Sequence, residues 1–217
     1  EQSERDELAK LNLAACRKAR AATAYQAARE YATLGLTFLG ASAWQRQYEM
    51  SLTLHELAAE VAWLCGDFVE MERLIETTLA QAKTPLARMQ VYQVKIQSLN
   101  SRNEFLAALS TGKSVLQMLG ISLPDNPTSE DLQQAKQEID ALIGERSIEE
   151  LIDLPKMKDA QKLAIIQIAD TILPSCYLTG SPLYPLVVAL QVKLSIQFGN
   201  SLFSPISYVS YAFLLNM

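Results

Sequence analysis

The stretch Leu54–Ala82, LHELAAEVAWLCGDFVEMERLIETTLAQA, decides the fold. Leu54, Leu57, Ala58, Val61, Ala62 and Cys65 recur at three- and four-residue steps, so they share one side of a helix that Gly66 ends. After the Gly66-Asp67 break, Met71, Leu74, Ile75, Thr78, Leu79 and Ala82 repeat the pattern until Thr84-Pro85 stops it. Two apolar stripes joined by so short a break predict an antiparallel helix pair. Strands are not expected: sustained period-two alternation and Asn-Gly or Asp-Gly hairpin turns are missing, and β-branched clusters are few before residue 160.

Aligning the chain on the aromatic that opens each second helix, namely Tyr25, Phe68 and Phe105, reveals an internal repeat. Three residues later stand Ala28, Met71 and Ala108. Eleven later stand Leu36, Leu79 and Leu116, and six earlier stand Ala19, Ala62 and Leu99. Small residues suit the place where two helices cross closely, and large apolar ones the place where the next pair must be covered. The spacing is 43 residues from Tyr25 to Phe68 and 37 from Phe68 to Phe105, longer than the roughly 34 of a tetratricopeptide repeat. Extended helices, or a longer inter-unit turn around Gly40-Ala41-Ser42, are expected to take up the excess. The expected fold is all-α, a right-handed array of stacked antiparallel helix hairpins similar to a tetratricopeptide superhelix. Three pairs span residues 1–120, and a less regular continuation spans 121–217.

In that second half Pro124 and Pro127 interrupt the chain, and Thr128-Ser129-Glu130-Asp131 offers an N-cap followed by acids, predicting a helix over 129–143 that Gly144 ends. Ser147 can cap a short turn through Leu151, and Asp159 a helix running to about Ile172. Two more helices are predicted at about 182–198 and 204–217, with Pro182 and Pro205 near their starts. From Thr171 onward Lys193 is the only charged residue. The expected reason is that these helices are interior units whose outer faces further repeats cover. Glu1 in place of Met, and an end inside an apolar run, fit a piece of something longer. Self-association through these helices is also expected, because a repeat array needs a polar cap and Tyr211-Ala212-Phe213-Leu214-Leu215 is not one.

Composition sets outer bounds. With 217 residues, 49% hydrophobic and 20% charged, the chain has material for one or two cores. A net charge of -5 weakens any nucleic-acid role, since phosphate binding needs a basic surface. Every long apolar stretch is cut by Pro, Gly, Gln or a charge, so no membrane span is expected. Cys16, Cys65 and Cys176 are odd in number and widely spaced, which suggests reduced, cytoplasmic thiols rather than a disulfide framework or a metal knuckle.

Particular phrases carry a family resemblance. The Gly66-Asp67-Phe68 turn, with its flanking small and apolar positions, resembles a tetratricopeptide repeat, although the consensus Trp, Gly and terminal Pro positions are mostly substituted. The run from Arg17 to Tyr25, Leu52-Thr53-Leu54-His55 with Gly66-Asp67-Phe68, and the phrase from Val115 to Pro124 carry a second likeness. So do Ile148-Glu149-Glu150-Leu151 with Leu154-Pro155-Lys156-Met157, and Phe198-Gly199-Asn200-Ser201. Together they resemble the long helical segment of bacterial, especially cyanobacterial, multi-sensor signalling kinases. That likeness extends over essentially the whole chain. In that family a Ser/Thr kinase domain and an AAA-type ATPase module precede this region, and a GAF sensor and a histidine kinase follow it. The resemblance implies a helical scaffold between modules, with no catalytic residues of its own.

Chemical motifs are incomplete. Thr111-Gly112-Lys113-Ser114 looks like the end of a phosphate-binding loop, but Ala107 stands where the first glycine belongs, and the run falls inside a predicted helix rather than after a strand. His55-Glu56 begins like a zinc-protease helix, yet Ala59 replaces the second His and the chain has no other imidazole. Serine–histidine or cysteine–histidine catalysis would therefore need His55 as its base, and no nucleophile motif accompanies it. Carboxylate pairs such as Glu56 with Glu60 read as solvated helix faces. No catalytic, metal or cofactor site is expected.

What remains is a binding surface. In stacked hairpins the first helix of each unit lines the concave side. The repeat register places Lys10, Arg17 and Arg20 there in unit one, Thr53, Glu56, Glu60 and Trp63 in unit two, and Gln90, Gln93, Gln97 and Asn100 in unit three. A groove running basic, acidic, then amide suits an extended peptide or another domain of the same chain, with Trp63 as aromatic anchor. The alternative is that Arg17 or Arg20 simply pairs with Glu56 or Glu60 between neighbouring helices. The expected function is a non-catalytic scaffold and interaction platform between an ATPase module and sensor-kinase modules, or else a free-standing adaptor that binds a peptide in this groove.

Overall fold

The computed structural model describes residues 1–215, and among them every regular element is helical. In chain order these are α1 (Gln2–Ala21), α2 (Tyr25–Leu39), the one-turn α3 (Ala43–Arg46), α4 (Tyr48–Leu64), α5 (Phe68–Gln81), α6 (Met89–Ser101) and α7 (Phe105–Met118). There follow α8 (Ser129–Ile143), α9 (Ala160–Leu178), α10 (Tyr184–Phe198) and α11 (Ser204–Leu215). Single 3₁₀ turns lie at Leu86–Arg88 and Glu149–Leu151. Asn216 and Met217, the end of the helix expected over 204–217, lie outside the described residues. The chain forms two compact units that divide between Ser98 and Leu99. The end of the regular repeat, read at Gly120, is a different boundary.

The repeat has a physical basis in its turns. Thr23, Gly66 and Asn103 each adopt positive φ, at 57°, 77° and 61°. One residue further on, the backbone N–H of Ala24, Asp67 and Glu104 donates to the carbonyl of Ala19, Ala62 and Leu99, at 2.9 Å in all three. These acceptors are the residues six before each aligned aromatic. A second bond runs from Thr23 to Arg20, Gly66 to Trp63 and Asn103 to Asn100, completing a Schellman motif that closes one helix and opens the next within three residues. Gly120 and Gly180 end α7 and α9 the same way. Glycine stands at only one of the three repeat turns, which is why that turn alone is conspicuous in the sequence.

In the first unit α1 lies along α2, α4 lies along α5, and α2 packs on α4. Gly35 permits the last approach, since a Cβ there would lie 2.8 Å from Leu54 Cδ2. Ala28 and Met71 are fully buried at matching positions, and Cys16, Leu54, Val61, Ile75, Val91 and Val94 complete the core. The longer first spacing is taken up by α3, which seats Trp44 and brings Arg46 to Asp6 at 2.5 Å and to the Leu39 carbonyl at 3.1 Å. Arg5 closes the same end by donating to the carbonyls of Thr37 and Phe38.

In the second unit α10 is buried nearly all round, with α8, α9 and α11 packed on it. This central position accounts for a stretch almost free of charge. Gly112 sits where α7 crosses α9, and a Cβ there would fall 2.1 Å from Ile172 Cγ2. The Thr128 cap forms with Asp131 in a reciprocal box, and Gly144 and Asp159 end and begin helices as expected. One boundary differs: α9 runs to Leu178, past the expected stop at Ile172, and carries Pro174 inside it. Proline removes one helical bond, but here Thr171, Ile172, Leu173, Ser175 and Cys176 are all buried, and their packing holds the helix through it.

Candidate functional site

The surface read from the repeat register lies on α1, α4 and α6. Arg17 and Arg20 share a face of α1, and Glu56, Glu60 and Trp63, at four- and three-residue steps, share a face of α4. Arg20 Nη2 donates to Glu60 Oε1 at 2.5 Å, joining the two first helices directly. Glu60 is largely covered while Arg20 is half exposed, so this pair is worth about 1 kcal/mol at most. The alternative of neighbouring helices linked by charge is therefore met at one of the two arginines. Arg17 is exposed, and among the described residues it forms no ion pair. Trp63 is half-buried against the core of the first unit.

Glu56 stands apart. Its carboxyl is partly buried with no cation beside it among the described residues, and burial, with a smaller contribution from Glu49, pushes its pKa up to about 7. It is thus poised to change charge near neutrality. Gln90, Gln93 and Gln97 on α6 are half-buried, as is Thr53 on α4, and Lys10 lies exposed, 4.0 Å from Glu7. Asn100 is committed elsewhere: its Nδ2 donates to the Thr171 carbonyl at 2.9 Å and its Oδ1 accepts from Ser175 Oγ. Its amide fastens α6 to α9 and leaves it out of the candidate surface.

His55 has a structural setting. Its Nδ1 lies 2.7 Å from the Ser51 carbonyl, which assigns the proton to that nitrogen, and its ring lies 4.7 Å from the Trp44 ring. Burial lowers its pKa, so the imidazole is neutral at pH 7. It borders an open pocket of about 400 Å³ shared with Trp44, Arg73, Thr77 and Gln81. Glu70 holds the Arg73 guanidinium through two bonds of 2.6 and 2.7 Å, and Thr77 donates to the Arg73 carbonyl. No nucleophile is aligned on the free imidazole nitrogen by any of these groups.

Lys113 lies inside α7 and donates to Asp125 at 2.7 Å and to the Pro124 carbonyl at 3.4 Å, beside a pocket of about 540 Å³ lined also by Ser110, Ser114, Ser122 and Ser181. Gly112 serves the crossing with α9, and Lys113 ties the loop after α7 to its helix. Among the described residues no three His, Cys, Asp or Glu side chains gather as metal ligands. No described helix is long and apolar enough to cross a membrane.

Reading the sequence missed the junction between two of the quoted phrases. Asn200 N–H donates to the Pro155 carbonyl and Met157 N–H to the Asn200 carbonyl, both at 2.8 Å, making a short parallel bridge. The Asn200 amide also donates to the Leu151 carbonyl at 2.7 Å and accepts from Tyr208 Oη at 2.9 Å. Leu151–Met157 and Gly199–Asn200 therefore form one structural clamp. Its only local sign in the sequence is the glycine. Arg29, which pairs with the α5 cap residue Asp67, was likewise unmarked.

No protein-family model matches the chain, and no match to it was found among curated proteins or solved structures.

Proposed function

We propose that the chain is a non-catalytic, tetratricopeptide-like helical scaffold that makes protein contacts within a large cytoplasmic signalling protein of the multi-sensor kinase type. The observation that carries this reading is the common turn. The same two hydrogen bonds recur at Thr23, Gly66 and Asn103, each two residues before the aligned aromatic, and α2 packs on α4 between the first two pairs. Side chains that resemble chemical motifs have structural duties: Gly112 at a helix crossing, Lys113 in an ion pair, His55 against Trp44. An adaptor that binds a peptide is the second reading. It is favoured by Glu56, whose partly buried carboxyl would gain from a cationic side chain on a partner.

The test is retention of separately produced ATPase and sensor-kinase modules, encoded in the same reading frame, on the immobilised chain. Arg17→Glu and Glu56→Lys should weaken retention at least several-fold. Retention unmoved by both changes, or saturable micromolar ATP binding to the chain by calorimetry, overturns the scaffold reading. A Lys-bearing peptide that binds the wild type and not Glu56→Lys would favour the adaptor.

A further inference from the structure

The cavity of about 540 Å³ beside α7 has one cation and one anion among the described residues of its walls, and the two are unequally placed. Lys113, the only charged residue of α7, has a side chain 23% exposed, whereas that of Asp125, whose Oδ1 lies 2.7 Å from Nζ, is 93% exposed. An ion pair with one partner standing in water contributes little, so this carboxylate is replaceable. Nζ also donates to the Pro124 carbonyl, which leaves the loop one tie to α7 when the carboxylate departs. The rest of the wall supplies donors. Among the described residues the hydroxyls of Ser110, Ser122 and Ser181 and the Gln117 amide donate to no protein acceptor. Together with Lys113 they exceed the roughly four lone-pair sites of a carboxylate. They suit a phosphomonoester, which brings three strong acceptor oxygens and a charge of about −1.5 to −2. Leu109 and Leu183, both nearly buried, give a short organic group an apolar floor, and the volume falls within the roughly 300–1,000 Å³ of small-molecule sites.

We propose that this cavity binds a small phosphomonoester, whose phosphate displaces the Asp125 carboxylate from Lys113. The incomplete loop motif plays no part in it: residues 111–114 are helical, so their backbone N–H groups are engaged within α7 and side chains alone hold the anion. Asp125 is an internal competitor. It neutralises Lys113 in the empty cavity, and the ligand is held only when the loop carboxylate turns out into solvent. Binding is weak for that reason. The chain holds the ligand without transforming it, so this site and the scaffold role stand or fall separately.

Calorimetric titration of the 217-residue chain with glycerol 3-phosphate at constant ionic strength tests this. The wild type should bind with a dissociation constant of about 1 mM or below, and glycerol, the same organic group without the charge, should not bind. Asp125→Asn should tighten binding about two- to fivefold by removing the competitor. Lys113→Met should weaken it at least about tenfold. Lys18→Met, which removes the same charge from an exposed position on α1, should leave it unchanged. Glycerol bound as tightly as its phosphate, a phosphate bound by neither the wild type nor Asp125→Asn, or an Asp125→Asn chain that binds no tighter than the wild type overturns the proposal. Should Lys113→Met fail to fold, a chain carrying both Ser122→Ala and Ser181→Ala decides. Its affinity should fall several-fold with Tm unmoved, and an unchanged affinity sinks the site.

Discussion

Substituting Gly199 with alanine should be among the most damaging single-methyl changes in the protein. Its φ of 99° and ψ of 169° lie in a region open essentially to glycine alone, where a side chain costs about 1–3 kcal/mol. The added Cβ would also lie 2.1 Å from the Pro155 carbonyl oxygen, 3.0 Å from its carbon and 3.1 Å from Met157 nitrogen, all backbone atoms that no rotamer can move. To admit it the bridge must open, giving up two 2.8 Å hydrogen bonds worth about 1 kcal/mol each. The sum is about 3–5 kcal/mol, or roughly 10 °C in Tm for a chain of this size. Gly120→Ala is the matched control, with φ 87° and nothing within 4 Å of the new Cβ. It should cost only the backbone strain, about 1–2 kcal/mol. Thermal and urea unfolding of both variants, followed by circular dichroism, give the comparison. A Gly199→Ala protein no less stable than Gly120→Ala would refute the clamp as a structural necessity.

The shared turn predicts that Thr23→Gly stabilises by about 0.5–1 kcal/mol, because a β-branched residue at positive φ is strained. Gly66→Thr should destabilise by more than that, and urea midpoints check both. At the α7–α9 crossing, Gly112→Ala should cost about 1–3 kcal/mol despite alanine's better helix propensity. A double-mutant cycle with Ile172→Ala should return a coupling of at least about 0.5 kcal/mol, and additivity would contradict the close approach. For Glu56 the folded pKa lies above the ordinary 4.5, at about 7, so the carboxyl disfavours the folded state once ionised. Its penalty is absent below pH 4.5, grows as pH rises through 7 and is then constant. Glu56→Gln should therefore leave stability at pH 4 unchanged and raise it at pH 8 by about 1 kcal/mol, after allowance for its partial exposure. Chemical denaturation at the two pH values reads the difference.

The sequence announces what is set locally and is silent on what is set across the chain. Tyr25, Phe68 and Phe105 open helices where the register puts them, and Thr128, Gly144 and Asp159 act as caps where local chemistry places them. The helix opened by Asp159 runs on past Ile172 and through Pro174, because burial on both sides of the proline outweighs the local rule that proline interrupts a helix. The Asn200 clamp joins segments more than 40 residues apart, and no spacing rule reaches that far. Of the candidate surface, the faces of α1 and α4 were legible from periodicity alone. Which arginine would pair was not, since Arg17 and Arg20 look alike in sequence and it is Arg20 that the fold brings to Glu60.

The three thiols have a use that their burial creates. Cys16 lies in the first compact unit and Cys176 in the second, both fully covered and both with pKa pushed up to about 11 by desolvation. In the native state neither offers appreciable thiolate to an alkylating reagent, while Cys65, only partly covered, remains within reach. The wild-type chain thus carries a reference thiol and one silent reporter per half. The order in which the two silent sulfurs become reactive in rising urea would reveal which half opens first, with no label engineered into either.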